Sequence, residues 1–342
     1  MLIDILKKEK LQEILDRAGD VCVCTVGDIC LDLYLYADMK KSQLSRETPH
    51  YPLPIVKEKA LPGGGGNVVN NFAALGVKKL LPVSLIGNDW RGFLLKKCLL
   101  ERGICTDRIL TSDDYLTTCF VKPMRMGISD VIYEDPRLDF ENRKQMTLQD
   151  EERVLRALDE AAAEADIIAV SDQVRCGVIT ERILNRISEW GQKKPVVMDS
   201  RENTSFHKNI IAKPNEVEAA IAAGYDICGS ELSTEELSGI GKDLEKKSGC
   251  PVIVTIGERG ALWCDRKGVT KVSTARATQP IDIVGAGDTF LAAFCTAYAT
   301  GASGPEAIAF ANLASGVTVK KIGTTGTASA AEILEKYEEF SL

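Results

Sequence analysis

Short apolar runs alternate with longer amphipathic stretches along most of this 342-residue chain, and that alternation restricts the fold more than any other feature. Residues 21–26, 80–86, 167–171, 196–199 and 252–256 each read as a short buried strand that ends near a polar residue or a glycine. Helical patterns fall between them at about 67–75, 90–102, 148–163, 180–190, 215–223, 234–247, 287–300 and 304–320. A β-α-β-α order predicts a parallel sheet covered by helices, with ligands at the carboxyl ends of its strands. Gly27-Asp28, Ser171-Asp172, Asp199 and Thr255-Ile256-Gly257 stand at those ends.

Two segments break the alternation, 31–59 and 116–139. Both carry extra strand-like sequence, with Tyr34 and Tyr36 in the first and Thr117 to Val121 in the second. Their similar character predicts a small sheet, discontinuous in sequence, that projects from the core as a lid. With no internal repeat or linker, residues 1–342 read as one domain plus this lid. At the N-terminus Ile3, Leu6, Leu11, Ile14 and Leu15 outline an amphipathic helix over 3–18. Interleaved charges there exclude the apolar core of a signal peptide, so the expected location is cytoplasmic. No segment has the apolar length of a membrane span.

Composition narrows the chemistry. A net charge of -7 disfavours a nucleic-acid surface, which needs concentrated positive charge. The 11 cysteines lie mostly inside apolar runs and read as small buried hydrophobes, and with two histidines and no CxxC pair a zinc site or histidine-based mechanism has few parts. Neither the GxxxxGK[ST] loop nor the GxGxxG fingerprint is present, which also argues against a nicotinamide oxidoreductase.

The string Asp282-Ile283-Val284-Gly285-Ala286-Gly287-Asp288 instead places a glycine turn and a carboxylate where a helix begins. Free N–H groups at Gly285, Ala286 and Gly287 would bind a phosphoryl group, with Asp288 facing whatever attacks the phosphorus. Taken alone, the string also fits a loop-to-helix junction with Asp as its N-cap. Gly63-Gly64-Gly65-Gly66-Asn67 offers close backbone approach and then an amide, a combination suited to a hydroxyl-rich ligand; alone, it fits a flexible turn equally well.

In their order along the chain these motifs resemble the PfkB/ribokinase family of carbohydrate kinases, from about residue 21 to 327. The motifs are Gly27-Asp28 with Asp32, Gly63-Gly64-x-x-Asn67 followed by Ala73-Ala74-Leu75-Gly76, Lys213-Pro214-Asn215-Glu216-Val217-Glu218, and Asp282 to Asp288. The resemblance implies a three-layer α/β/α core with a mostly parallel central sheet, a β lid, and ATP-dependent phosphorylation of a sugar hydroxyl with Mg2+. It implies catalysis by Asp288 with Gly285, Ala286 and Gly287, and sugar contacts from Asp28, Asp32, Gly63, Gly64 and Asn67. Asn215, Thr255, Gly257, Gly260 and Asn312 would lie on the nucleotide side. Glu218 with Asn215 would organise hydrated Mg2+, and a monovalent cation such as K+ would sit near Asp282 and Gly323. At a helix N-terminus Asp288 is expected to stay ionised and to take its proton late.

Within the family, Ser45 to Pro49 with Pro54-Ile55-Val56, Arg137 to Glu141 and Gly316 to Lys321 resemble the subgroup that phosphorylates D-glycero-D-manno-heptose 7-phosphate in ADP-heptose synthesis. Arg46, Lys122, Arg125 and Arg137 are the expected cations for the acceptor phosphate. Gln173 to Gly177 departs from the subgroup and predicts an altered sugar edge. The same-class alternative is a kinase for an unphosphorylated sugar or nucleoside, and a catalytically silent sugar or nucleotide sensor is a further one. Leu31, Leu33 and Leu35 suggest a lid face that pairs in a homodimer.

Overall fold

A computed structural model describes residues 2–201, 207–225, 232–274 and 279–341. In chain order the strands are β1 (Cys22–Gly27), β2 (Ile29–Asp38), β3 (Ile55–Gly64), β4 (Lys79–Gly87), β5 (Ile109–Ser112), β6 (Cys119–Met126), β7 (Tyr133–Glu134), β8 (Leu138–Phe140), β9 (Ile167–Asp172), β10 (Val196–Ser200), β11 (Ile211–Ala212), β12 (Val252–Thr255), β13 (Ala261–Asp265) and β14 (Gly268–Val272). Nine of them form one sheet in the order β14-β13-β12-β11-β10-β9-β1-β4-β5. The pairings from β5 across to β12 are parallel, while β13 and β14 add an antiparallel edge.

Alternate side chains of the central strands enter opposite layers, as the pleat requires. Val23, Ile167, Ala169 and Val197 pack with the helices Gly65–Ala74, Ala286–Ala299 and Gly304–Thr318. Cys24, Val26, Ile168, Val170 and Met198 pack with the helices Leu148–Glu164 and Glu181–Trp190. Strand order reverses at β1, because the chain first builds outward through β4 and β5 and then returns to β9 on the other side. The crevice where β1 and β9 end is therefore the switch point at which such sheets take ligands.

A second sheet, β3-β2-β6-β7 with β8 also on β6, carries the lid. Its β2–β3 and β2–β6 pairs are antiparallel and parallel respectively. Leu31, Leu33 and Val121 on one face pack against Leu95 and Leu99 of the helix Trp90–Leu100. The leucine face suggested for a dimer is thus consumed within the chain, since a core helix supplies its apolar partner. Other large apolar groups of the lid region stay exposed, among them Tyr51, Ile55, Ile128, Val131, Ile132, Tyr133 and Leu138.

Smaller differences from the expected elements have local causes. The N-terminal helix is split into Leu2–Ile5 and Lys8–Ala18. Gly63 and Gly64 end a lid strand rather than forming a free turn, pairing with Cys30 and Ile29, and the next helix starts at Gly65. Strands β5, β11 and β14 lack a strong apolar run, whereas β13 has one, Ala261 to Cys264, that was not among the predicted strands. Among the described residues no helix is long and apolar enough to cross a membrane.

Candidate active site

The helix Ala286–Ala299 begins with Gly285 as its N-cap, in the left-handed region at φ 81 and without a side-chain cap bond. Asp288 is therefore inside the first turn, not an N-cap; no side chain caps the leading N–H groups, and that of Ala286 already donates to the Ile283 carbonyl at 3.1 Å. A Cβ on Gly285 would lie 2.6 Å from Asn67 Nδ2, so glycine is needed for the close approach of the two helix starts. Across that contact Asn67 Nδ2 donates to Asp288 Oδ2 at 2.9 Å. Asn67 itself is fully buried.

Below the turn, Lys213 Nζ pairs with Asp199 Oδ2 at 3.0 Å, and both lie 3.9 Å from where a Gly287 Cβ would stand. Burial pushes the Asp288 carboxyl up to about 7; the Asp199 carboxylate adds to the rise, while the Asn67 amide, Lys213 and Arg201 oppose it. The expectation of a firmly ionised Asp288 is corrected accordingly. Loss of water around the carboxylate outweighs the hydrogen bond and the nearby cations.

Asp28 is at the mouth of the β1–β9 crevice, yet its carboxylate is already committed. It accepts backbone N–H bonds from Gln173 at 2.8 Å, Val174 at 3.1 Å and Val178 at 2.7 Å. A Gly177 Cβ would stand 2.4 Å from Asp28 Oδ1, so the unusual 173–177 sequence is shaped around this acid. Burial raises the Asp28 carboxyl to about 6 against the pull of those bonds. The structure thus gives Asp28 a loop-holding place at the edge of the β1–β9 crevice.

Asp32 faces the glycine strand, 2.7 Å from a would-be Gly63 Cβ, and pairs with Lys122 Nζ at 3.2 Å. Lys122 also donates to the Tyr34 hydroxyl at 3.1 Å. Arg137 forks onto both oxygens of Asp139 at 2.6 and 2.7 Å and stacks over Phe120 at 4.4 Å. Arg125 pairs with Asp135 at 2.7 Å. Three of the four cations expected for an acceptor phosphate are therefore balanced by carboxylates on neighbouring lid positions, and the fourth, Arg46, lies in an exposed loop.

On the opposite side Asn215 and Glu218 form a reciprocal capping box, with both bonds at 2.8 Å. Burial raises the Glu218 carboxyl, Asp199 adds to the rise, and Lys213 and Arg201 lie close enough to oppose it, so Glu218 belongs to the same charged group as Asp288. One Glu218 oxygen is taken by the Asn215 N–H, which leaves the other to meet a hydrated cation. Among the described residues no group of three or more acidic, histidine or cysteine side chains could ligate a metal directly.

Thr255 bridges to Asn215 and takes the Pro214 carbonyl at 3.0 Å through its N–H. Gly257 (φ 57) and Gly260 (φ 100) shape the turn that follows, where a Gly260 Cβ would strike the Val272 carbonyl at 2.1 Å. Asn312 is buried and donates to the carbonyls of Val272 at 3.2 Å and Ser273 at 3.4 Å. It braces the end of β14 instead of facing solvent. Asp282 accepts from Val284 N at 3.0 Å and Gly323 N at 2.9 Å, tying the glycine turn to the 319–323 loop.

Asp199 and Lys213 are the site residues that sequence reasoning left without a role. A strand-ending Asp followed by the Lys of Lys-Pro-Asn was the available signal, because consecutive parallel strands β10 and β11 bring those positions side by side.

Anion turn, carboxylate and lid-covered crevice together define a sugar-phosphorylating enzyme. Residues 22–331 match the pfkB family carbohydrate kinases, and the chain belongs to that family of ATP-dependent enzymes. It is 32% identical over 317 residues to the bifunctional protein HldE of a Nitratiruptor species, covering 92% of this chain and 64% of that protein. To HldE of Citrifermentans bemidjiense it is 29% identical over 328 residues, covering 94% and 65%. The chain thus spans just under two thirds of the length of these relatives. Its fold resembles that of Escherichia coli phosphofructokinase-2 with substrates and products (TM-score 0.70, 20% identity, 94% of this chain and 100% of that one). Arabidopsis thaliana ribokinase with ribose and ATP gives a TM-score of 0.66 at 22% identity, with 92% and 98% covered.

Proposed function

We propose that this chain transfers the γ-phosphoryl group of ATP to the anomeric hydroxyl of a phosphorylated sugar, D-glycero-D-manno-heptose 7-phosphate or a close relative, giving the 1,7-bisphosphate. The observation that carries the reading is the Asn67–Asp288 contact beside the uncapped glycine turn. The similarity to HldE proteins supports the heptose phosphate.

With Oδ2 held by Asn67, Asp288 presents its other oxygen to the acceptor hydroxyl. A base near neutrality suits an acceptor proton lost late, when a loose transition state has already moved charge onto the phosphoryl oxygens. The N–H groups of Gly285 and Gly287 receive that charge, with Ala286 between them donating its own N–H to the Ile283 carbonyl, and the Lys213 ammonium stands behind the turn. Asp32, Gly63, Gly64 and Asn67 line the sugar side, with Arg137 over Phe120 beside them. Thr255, Gly257, Gly260 and Asn312 shape the nucleotide side. Glu218 with Asn215 would hold Mg2+ through water, and the ion would neutralise phosphate charge. The loops joined at Asp282 and Gly323 are the place for K+.

In this reading the chain is one kinase domain, cytoplasmic, and dimeric through the outer lid groups Tyr51, Ile128 and Tyr133 rather than the leucine face. A second reading, a kinase for an unphosphorylated sugar or nucleoside, is favoured by one observation: Lys122, Arg125 and Arg137 are already paired. ADP production with a panel of sugars and sugar phosphates tests the choice. Turnover highest with heptose 7-phosphate is expected; turnover confined to unphosphorylated acceptors selects the second reading, and binding without turnover would make the chain a sensor.

A further inference from the structure

We propose that Lys57 and Lys59 on β3 seat the phosphate of the acceptor; the inference rests on the phosphosugar reading above. Lys59 stands opposite Tyr34 and Lys57 opposite Tyr36 in the β2–β3 ladder, so both share the sheet face that carries Asp32. Lys59 Nζ lies 5.9 Å from the Tyr34 ring centre and Lys57 Nζ 5.3 Å from that of Tyr36. Tyr34 in turn holds Lys122, whose ammonium is 3.2 Å from Asp32. A continuous track therefore runs from the sugar-facing Asp32 to the two lysines. Two residues along the strand, roughly 7 Å, separate the Asp32 row from the Lys59 row. A sugar lying against Asp32 with its phosphate-bearing carbon directed outward along the lid covers that separation.

Charge balance and the shared face with Asp32 together favour this pair. Lys122, Arg125 and Arg137 each face a carboxylate, at Asp32, Asp135 and Asp139. Among the described residues no acid stands within ion-pair distance of Lys57 or Lys59. Partial burial lowers the Lys59 ammonium, and the charged neighbours that add to this are Lys57 and Arg102, both cations. Glu58 points to the other face, and Glu134 stands with two strands between it and Lys57, in the row of Tyr36 and Met124. Uncompensated ammonium groups on an aromatic ledge fit a phosphate dianion, which would relieve their mutual repulsion.

Steady-state kinetics test the assignment, using D-glycero-D-manno-heptose 7-phosphate and the same heptose without its phosphate. The double variant Lys57→Gln/Lys59→Gln should raise KM for the phosphorylated acceptor about 10- to 100-fold. Its kcat and its KM for the unphosphorylated sugar should stay unchanged. Lys57→Arg/Lys59→Arg should restore the low KM. An unchanged KM for heptose 7-phosphate in the glutamine variant would overturn the lysine seat alone. So would an equal rise with both sugars, which marks a merely structural role. A wild-type enzyme active only on the unphosphorylated heptose would overturn the phosphosugar reading, and this inference with it.

Discussion

Asn67 and Asp288, 221 positions apart, meet at 2.9 Å because the helices Gly65–Ala74 and Ala286–Ala299 start side by side, with Gly285 keeping the space between them open. The amide fixes one carboxylate oxygen and stabilises the ionised form. Asp288→Asn should lower kcat about 10²- to 10⁴-fold while ATP binding, read by calorimetry, persists.

Because burial raises Asp288 to about 7, kcat/KM should fall as pH drops through that value, approaching tenfold per unit on the acid side. Asn67→Ala removes a group that favours the ionised form, so the acid limb should move to higher pH. A pH–rate profile of the two proteins checks both the position of the limb and the sign of its shift.

Stability should respond in the opposite sense to activity. The folded Asp288 binds its proton more tightly than the unfolded chain does, so its ionisation costs stability, about 1 kcal/mol or more, as pH rises from about 4 through 7. Asp288→Asn should therefore melt higher than wild type at pH 8 and equally at pH 3, by differential scanning calorimetry.

Asp28→Ala leaves the N–H groups of Gln173, Val174 and Val178 without their acceptor in a buried place. At about 1–3 kcal/mol for each unsatisfied group, a loss of at least 3 kcal/mol is expected in urea unfolding.

Gly285→Ala and Gly287→Ala should separate fold from chemistry. At φ 81 with Asn67 Nδ2 only 2.6 Å away, a methyl on residue 285 displaces the amide, and a loss of about 1–2 kcal/mol or more accompanies the fall in kcat. At residue 287 the nearest atoms are 3.9 Å away, so melting should hold while the methyl obstructs phosphate approach and raises the KM for ATP. Thermal melts and ATP titrations on both variants distinguish the cases.

The sequence made the alternating core, both lid segments and the anion turn legible because apolar period and glycine placement are local signals. It left β5 and β11 unseen, since such short strands are specified by their neighbours in the sheet. Asp288 was legible as a residue but not in its proton affinity, which depends first on burial and then on Asp199 approaching from a separate strand. Lys122 was visible as a cation, whereas its neutralisation by Asp32 follows from the register of β2 with β6; Arg137 pairs with Asp139 only two residues further on, a local contact. Asp28 looked like a ligand contact because nothing local announces that a loop 145 residues later will surround it.

The first lid segment leaves the main sheet through a single residue between β1 and β2, Asp28, and returns at Gly64-Gly65. The two crossings are tied together, Gly65 N to Asp28 O at 2.7 Å, and the first is tied to the floor by Asp28 N to Ser171 O at 2.9 Å. Floor and roof are thus riveted at one point beside the crevice, and any change in the angle between the two sheets is shared between this rivet and the two connections of the second lid segment, residues 113–118 and 141–147.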